Sequence, residues 1–362
     1  MRLGVEAAIV RGELVPGDID VVDGRVGACG LPGPGRGVAV PGFVDLQVNG
    51  FAGVDFLNAS AADYDVAGEA LLQTGVTAYQ PTFITSSEET VIAALGEVPR
   101  SAAGPRILGV HLEGPFLAAA RIGAHPLEFR RDPDPELLER LLGAGPVTQM
   151  TLAPELPGAL ELIDLLRARG VVVSCGHTNA TAEEARAAFA RGAASVTHAF
   201  NAMRPFRHRD PGIAVAALVD DDVVVQIILD GHHVADETAA LVWRAAKGRL
   251  ALVTDAIAAA GNGDGHSSLG SIAVEVRDGT ARTQDGALAG SVVTMIEAVR
   301  QLHALGATLE EAVGAATEVP GRLLGRDGLG RLEPDGRADV VVLDDRLEVQ
   351  KVLVGGAAHV LA

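Results

Sequence analysis

The 362-residue sequence contains two cysteines, Cys29 and Cys175. They are too few for a disulfide framework, and neither lies in a C-x-x-C pair of the zinc or redox kind. No apolar run approaches the ~18 residues that a membrane-spanning helix needs, and the longest, such as residues 223–229, have the length of strands. The first residues are interrupted by Glu6 and Arg11 and lack the basic, apolar and small-residue regions of a signal peptide. These absences predict a reduced, cytoplasmic protein with no membrane partner. Lysine is nearly missing: Lys247 and Lys351 stand among 29 basic residues, while 47 acidic residues bring the net charge to -18. Such a field repels phosphate backbones and anionic headgroups, which argues against nucleic acid and membrane surfaces as partners. It also sets up a tension with any anionic small substrate. No Gly-rich phosphate fingerprint opens the central region and no G-x-S-x-G elbow appears, which disfavours a dinucleotide-binding open sheet and a serine nucleophile.

The length exceeds the ~250 to 300 residues at which one core usually stops growing, so one large domain with a small companion is expected. Residues 6–10, 18–22 and 25 onward read as short strands separated by the turns Pro16-Gly17 and Asp23-Gly24, and residues 338–343 and 349–354 repeat that character. Both ends are β-rich and too short to fold alone. They are predicted to pair as one small β-sandwich domain, built from residues 1–40 and 333–362. Between them, apolar strands alternate with Ala-rich helical segments. Candidate strands fall at 43–48, 76–81, 107–111, 147–153, 171–175, 194–197, 223–229 and 250–254. Eight such units predict an α/β fold, a (β/α)8 TIM-type barrel over residues 41–332, with a hairpin and loop inserted at 261–290.

Polar residues gather where the apolar strands end: Asp45, Gln47 and Asn49; His111 and Glu113; His177; His198 and Asn201; Asp230, His232 and His233; Asp255. In a (β/α)8 barrel those ends share one rim, so residues distant in sequence converge there. Glu113, His177 and His198 match a catalytic metal site with three protein ligands and an open fourth position. Each of them alone has a structural alternative, a hydrogen-bonded core histidine or a loop glutamate. Asp255, closing the eighth strand in LALVTDA, is placed either to shuttle a proton or to cap an Asx turn.

The motifs PGFVDLQVNGFAGVDF, HLEGPFLAAARIGAH, GHTNAT, VTHAFNAM, the stretch Arg209-Asp210-Pro211-Gly212, DGHHV, LVTDA and LAGS occur in that order over essentially the whole chain. In this they resemble the N-acetylglucosamine-6-phosphate deacetylases of the amidohydrolase superfamily. The resemblance implies metal-dependent hydrolysis of an acetamide on a sugar phosphate. It implies Glu113, His177 and His198 as ligands of one divalent ion, Zn first, with Fe, Co or Mn as alternatives. It implies Asp255 as the residue that activates water and protonates the departing amine, and His125 as the residue that polarises the acetyl carbonyl, with Ala124 beside it. Asn201, Ala202 and Arg209 are implied to meet the phosphate. His233 is implied to reach the neighbouring subunit's site, which makes a homodimer. Arg209 as a solvated loop charge and His125 as a turn cap are the structural alternatives.

Many amidohydrolases carry His-x-His on the first barrel strand for a second metal, where this chain has Gln47-Val48-Asn49. Neutral amides are poor ligands for divalent transition metals, so a one-metal site is expected. The rival readings are a deacetylase for another N-acetylhexosamine phosphate such as the galactosamine epimer, an amidohydrolase of N-acyl amino acids or cyclic amides, and a non-catalytic sugar-phosphate binder. The acidity does not exclude an anionic substrate, because residues 116–131 and 199–212 each hold three Arg against one acidic residue. Binding responds to charge within about one Debye length, ~8 Å at physiological salt.

Overall fold

In the computed structural model, which describes residues 1–100 and 104–361, eight parallel strands form the central barrel. They are β1 (Phe43–Val48), β2 (Val76–Ile84), β3 (Val110–Glu113), β4 (Val147–Leu152), β5 (Val172–Cys175), β6 (Ser195–Val196), β7 (Val224–Ile228) and β8 (Leu250–Val253). Each pairs with the next in sequence order. The circle closes through a parallel bridge between Val48 and Ala256, just beyond the end of β8. Helices return the chain between strands, and their ends are written in the sequence. Thr181 and Glu184 form a reciprocal capping box on the helix Ala182–Arg191, which stops at Gly192 with φ +99°, a left-handed position that glycine occupies without steric cost. Asp134 caps the helix Pro135–Ala144, whose Leu137, Leu138 and Leu141 are buried, the spacing of one apolar face.

The third strand departs from its predicted place. Residues 106 and 107 form a separate short strand on β2, and β3 begins at Val110. Gly109 between them has φ +99°, and a Cβ there would lie 2.7 Å from the Pro146 carbonyl oxygen. The chain therefore turns at that point, and Glu113 becomes the last residue of the strand. The inserted segment is a three-stranded antiparallel sheet, Gly265–Leu269, Ile272–Arg277 and Thr280–Thr283.

Both ends of the chain meet in a six-stranded sheet, ordered Glu13–Pro16, Ala7–Val10, Val38–Pro41, Val340–Leu343, Val349–Val354 and Ala357–His359. Its apolar face joins Val5, Ile19 and Val26 to Leu332, Val340 and Leu353. Of the segment predicted as a strand at 18–22, Val21–Val22 alone is a strand, paired with Arg25–Val26.

The barrel floor is apolar, with Leu46, Ala78, Leu108, Ile228 and Val253 packed against Leu329. Above it lies a polar layer, unlike the branched aliphatic filling usual for this architecture. His111 Nε2 lies 2.7 Å from Thr151 Oγ1, which meets Thr197 Oγ1 at 2.7 Å, which meets Ser174 Oγ at 2.6 Å. Burial lowers the His111 pKa to about 4, so the ring is neutral and serves as a strut beneath the rim. No helix among the described residues is long and apolar enough to cross a membrane.

Candidate active site

Four of the rim residues sit in left-handed backbone conformations that side chains other than glycine rarely adopt: His177 (φ +47°), His198 (+30°), Ala202 (+49°) and Asp255 (+51°). Such positions cost about 1–3 kcal/mol each and persist where surrounding structure enforces them. Here they turn side chains at the strand ends inward over the polar layer.

Glu113, 3% exposed, is the centre. His177 Nε2 and His198 Nε2 both face its Oε1, at 3.2 and 2.8 Å, whereas His125 Nε2 faces Oε2 at 3.6 Å. The second ring nitrogens separate the roles. His177 Nδ1 lies 3.0 Å from the Arg121 carbonyl oxygen, which can only accept, so Nδ1 carries a proton and Nε2 is the atom turned to Glu113. Nε2 there meets a carboxylate oxygen, a contact that takes a proton or a cation between the two atoms. His125 is the opposite tautomer. Its Nδ1 accepts from the Thr85 backbone N–H at 3.2 Å, so its Nε2 is an N–H that donates into the site. Burial and the neighbouring His177 lower the His125 pKa to about 4, which keeps the ring neutral.

Glu113, His125 and His177 bring one ligand atom each within 4.8 Å of one another. By proximity alone His125 would be a ligand, whereas the sequence points to His198. The His125 tautomer argues against that ring, because a protonated Nε2 cannot donate a lone pair, and leaves Glu113, His177 and His198, the last with its Nδ1 buried without a partner. The donor set fits a divalent cation such as Zn, for which one carboxylate and two imidazoles are ordinary ligands. Burial alone would raise the Glu113 pKa, but hydrogen bonds from the three imidazoles hold it well below the usual carboxylate range. For His198 burial works downward, and the Glu113 hydrogen bond and charge raise the pKa overall.

Asp255 stands across the site. Its Oδ1 accepts from Gln47 Nε2 at 3.0 Å and Asn49 Nδ2 at 2.7 Å, and Oδ2 has no hydrogen bond among the described residues. The acceptor fixes both amide orientations: the NH2 groups, which cannot ligate metal, face Asp255. Gln47 Oε1 and Asn49 Oδ1 are buried without partners. The Gln-x-Asn pair thus holds a carboxylate. Burial and the charge of Glu113 raise the Asp255 pKa to about 6.

These groups line one cleft of about 430 Å³, together with Ala124, Asn201, Ala202 and His233, a volume suited to a small ligand. Asn201 spends its backbone N–H on the His198 carbonyl at 3.0 Å and turns its side-chain amide to the same turn. Ala202 N–H has no acceptor among the described residues, so of the two it is the amide free for a ligand. The His233 ring, 5% exposed, is clamped to Asp230, with Nδ1 2.7 Å from Oδ2, and it lines this chain's own cleft. Arg209 is exposed on the loop after Arg204 and is absent from that lining. Thr85, which sets the His125 tautomer, and Leu269 and Leu288 of the insertion, which wall the cleft, went unread in the sequence. For Thr85 the signal was present, a polar residue closing an apolar strand.

A barrel with a Glu-His-His cluster, a separately held carboxylate and a neutral imidazole donor on one rim defines a metal-dependent hydrolase. The amidohydrolase family model matches residues 38–358, and the chain belongs to that family. It is 40% identical over 342 residues to human N-acetylglucosamine-6-phosphate deacetylase, covering 89% of this chain and 83% of that protein. It is 38% identical over 324 residues to N-acetylgalactosamine-6-phosphate deacetylase of Escherichia coli O157:H7, covering 87% and 86%. Among solved structures, a Mycobacterium smegmatis N-acetyl-D-glucosamine-6-phosphate deacetylase variant in complex with N-acetyl-D-glucosamine-6-phosphate aligns with TM-score 0.95 at 37% identity. That alignment covers 99% of this chain and 98% of that one.

Proposed function

We propose that this chain hydrolyses the acetamide of N-acetyl-D-glucosamine 6-phosphate to D-glucosamine 6-phosphate and acetate, as a cytoplasmic, one-metal enzyme. The observation that carries the reading is the convergence of His177 Nε2 and His198 Nε2 on Glu113 Oε1 across a cleft from Asp255. Glu113, His177 and His198 would hold the ion. A divalent cation there supplies Lewis acidity that polarises an amide carbonyl and acidifies water. Asp255 Oδ2 takes the proton of the attacking water while its Oδ1 stays anchored on Gln47 and Asn49. His125 Nε2–H donates to the acetyl oxygen as charge develops on it. Asp255 then delivers its proton to the sugar nitrogen as the C–N bond breaks, so acetic acid and a neutral amine leave, the Asp255 carboxylate is restored, and the acid gives up its remaining proton to solvent as acetate.

Zn suits this ligand set, and Fe, Co or Mn accept the same donors, so metal supply in the cell also decides occupancy. The galactosamine epimer is the second reading, favoured by the likeness to the Escherichia coli enzyme. Acetate release, measured side by side, tests both. Turnover of the glucosamine substrate with weak use of the galactosamine epimer and of the phosphate-free sugar is expected. A higher kcat/KM for the epimer selects the second reading, and no acetate from any of them defeats the proposal.

The homodimer is retained with its roles exchanged. His233 and the Ala202 N–H serve the phosphate within the chain, and Arg209, exposed and outside its own cleft, is the residue free to reach a neighbour's. Arg209→Ala should raise KM roughly tenfold, the worth of one charge-assisted hydrogen bond, with kcat little changed. Adding Asp255→Asn subunits, which still carry Arg209, should then lower the KM of the Arg209→Ala sites. A KM unmoved by mixing would place Arg209 in its own chain's site, and an unchanged KM in Arg209→Ala itself would remove it from phosphate binding.

A further inference from the structure

The barrel seam between β8 and β1 is made differently from its other junctions. The remaining neighbours share strand ladders. Here the upper seam is backbone: Asp255 N–H donates to the Gln47 carbonyl at 2.9 Å and Asn49 N–H to the Ala256 carbonyl at 2.7 Å. One step below, a side chain takes the place of the ladder. Asp45 Oδ1 accepts from the Gln47 N–H at 3.2 Å and from the Thr254 N–H at 3.3 Å, and its Oδ2 accepts from Thr254 Oγ1 at 2.6 Å. Asp45 is fully buried and has no Lys, Arg or His ion-pair partner among the described residues. Burial raises its pKa to about 7 against those donors, a costly group to keep for packing alone.

What surrounds the clasp is the backbone of Asp255. Thr254 Oγ1 accepts from the Ala256 N–H at 3.2 Å, the Thr254 carbonyl accepts from Ser291 Oγ at 2.6 Å, and the Asp255 carbonyl accepts from the Ser291 N–H at 2.9 Å. Residue 255 itself is held at φ +51°, a conformation that a free strand end would leave. We propose that Asp45 and Thr254 are positioning residues, a side-chain clasp that holds Asp255 in its left-handed conformation with Oδ2 turned to the substrate. The clasp acts on the reaction through Asp255 and touches neither substrate nor the Glu113 cluster.

The inference rests on the deacetylase reading. In Thr254→Val, which keeps the shape and removes the hydroxyl, kcat should fall about 10- to 100-fold, the effect of a small misplacement of a reacting group. KM should stay within about threefold and metal content should be unchanged. Thr254→Ser restores the hydroxyl and should recover kcat to within about threefold of the native rate. If Thr254→Val fails to fold, Asp45→Asn tests the same clasp, because its amide replaces an oxygen that accepts from Thr254. A variant with native kcat, a loss confined to KM or to thermal stability, or a Ser variant as slow as the Val variant overturns the clasp. A native protein that releases no acetate overturns the deacetylase reading instead.

Discussion

Asp255→Asn should lower kcat about 1,000-fold or more while KM and bound metal stay nearly unchanged. The substitution is close to isosteric, and the site shows why it should be structurally silent. Both protein hydrogen bonds to the carboxylate fall on Oδ1, from Gln47 and Asn49, and an asparagine can keep that oxygen in place with its NH2 where Oδ2 stood. What disappears is the atom that accepts a proton from water and returns it to the leaving nitrogen. An amine expelled without that proton is a very poor leaving group, so the loss reaches both halves of the reaction. The pH profile gives a second readout. A general base works when deprotonated, so kcat should fall about tenfold per pH unit below the Asp255 pKa. Burial and Glu113 raise that pKa to about 6, and a cation in the cluster pulls it lower, which puts the acid limb at or below pH 6. The residual rate of the variant should lack that limb. A variant with near-native kcat removes Asp255 from the mechanism.

Much of the barrel and of its rim was legible in the sequence for one physical reason. A buried parallel strand is an apolar run, and the point where it stops at a polar residue is both the end of the strand and the edge of the active face. Glu113, His177, His198 and Asp255 each stand at such a point, and the structure gathers them. The misplaced third strand shows the limit of that signal: Gly109 breaks the run through a close approach to Pro146, a contact made only in the folded barrel. The strand Val38–Pro41 was hidden for a related reason, since it runs into β1 across Pro41-Gly42 as almost one apolar stretch.

Side-chain roles were less readable than positions. Gln47 and Asn49 invite comparison with a missing metal site, and the folded chain shows them as the cradle of Asp255. Asp45 lies two residues earlier with the same polar signature and yet belongs to the seam below, because β1 is irregular between Asp45 and Val48. The reach of Arg209 and His233 depends on loop paths, which a local pattern does not encode. The tautomers of His125 and His177 are set by Thr85 and by the Arg121 carbonyl, partners supplied from other segments. Two histidines that look alike in sequence therefore differ at Nδ1, which accepts a hydrogen bond in His125 and donates one in His177.

That difference gives the other large expected effect. Glu113→Gln should cost more than about 100-fold in metal affinity, since loss of a mere outer-sphere partner typically costs 10- to 100-fold and Glu113 is placed as a ligand. Glutamine keeps the volume and one carbonyl oxygen but removes the charge that His177, His198 and His125 share. It also brings an NH2 group that cannot ligate. Acetate release should fall with the metal, about 1,000-fold at metal concentrations that saturate the native protein. Thermal unfolding supplies a readout independent of activity. A ligand present at about 1,000 times its Kd stabilises the native state by about 4 kcal/mol, so Zn added to metal-stripped native protein should raise Tm by several degrees and leave the variant almost unmoved. His125→Asn is the matching control: it removes the Nε2–H donor and should depress kcat while the Tm response to metal persists, because that ring holds a proton where a ligand would need a lone pair. Should His125→Asn abolish the metal response and His198→Asn leave it intact, the third ligand is His125, and the proximity of Glu113, His125 and His177 describes the metal site better than the tautomers do.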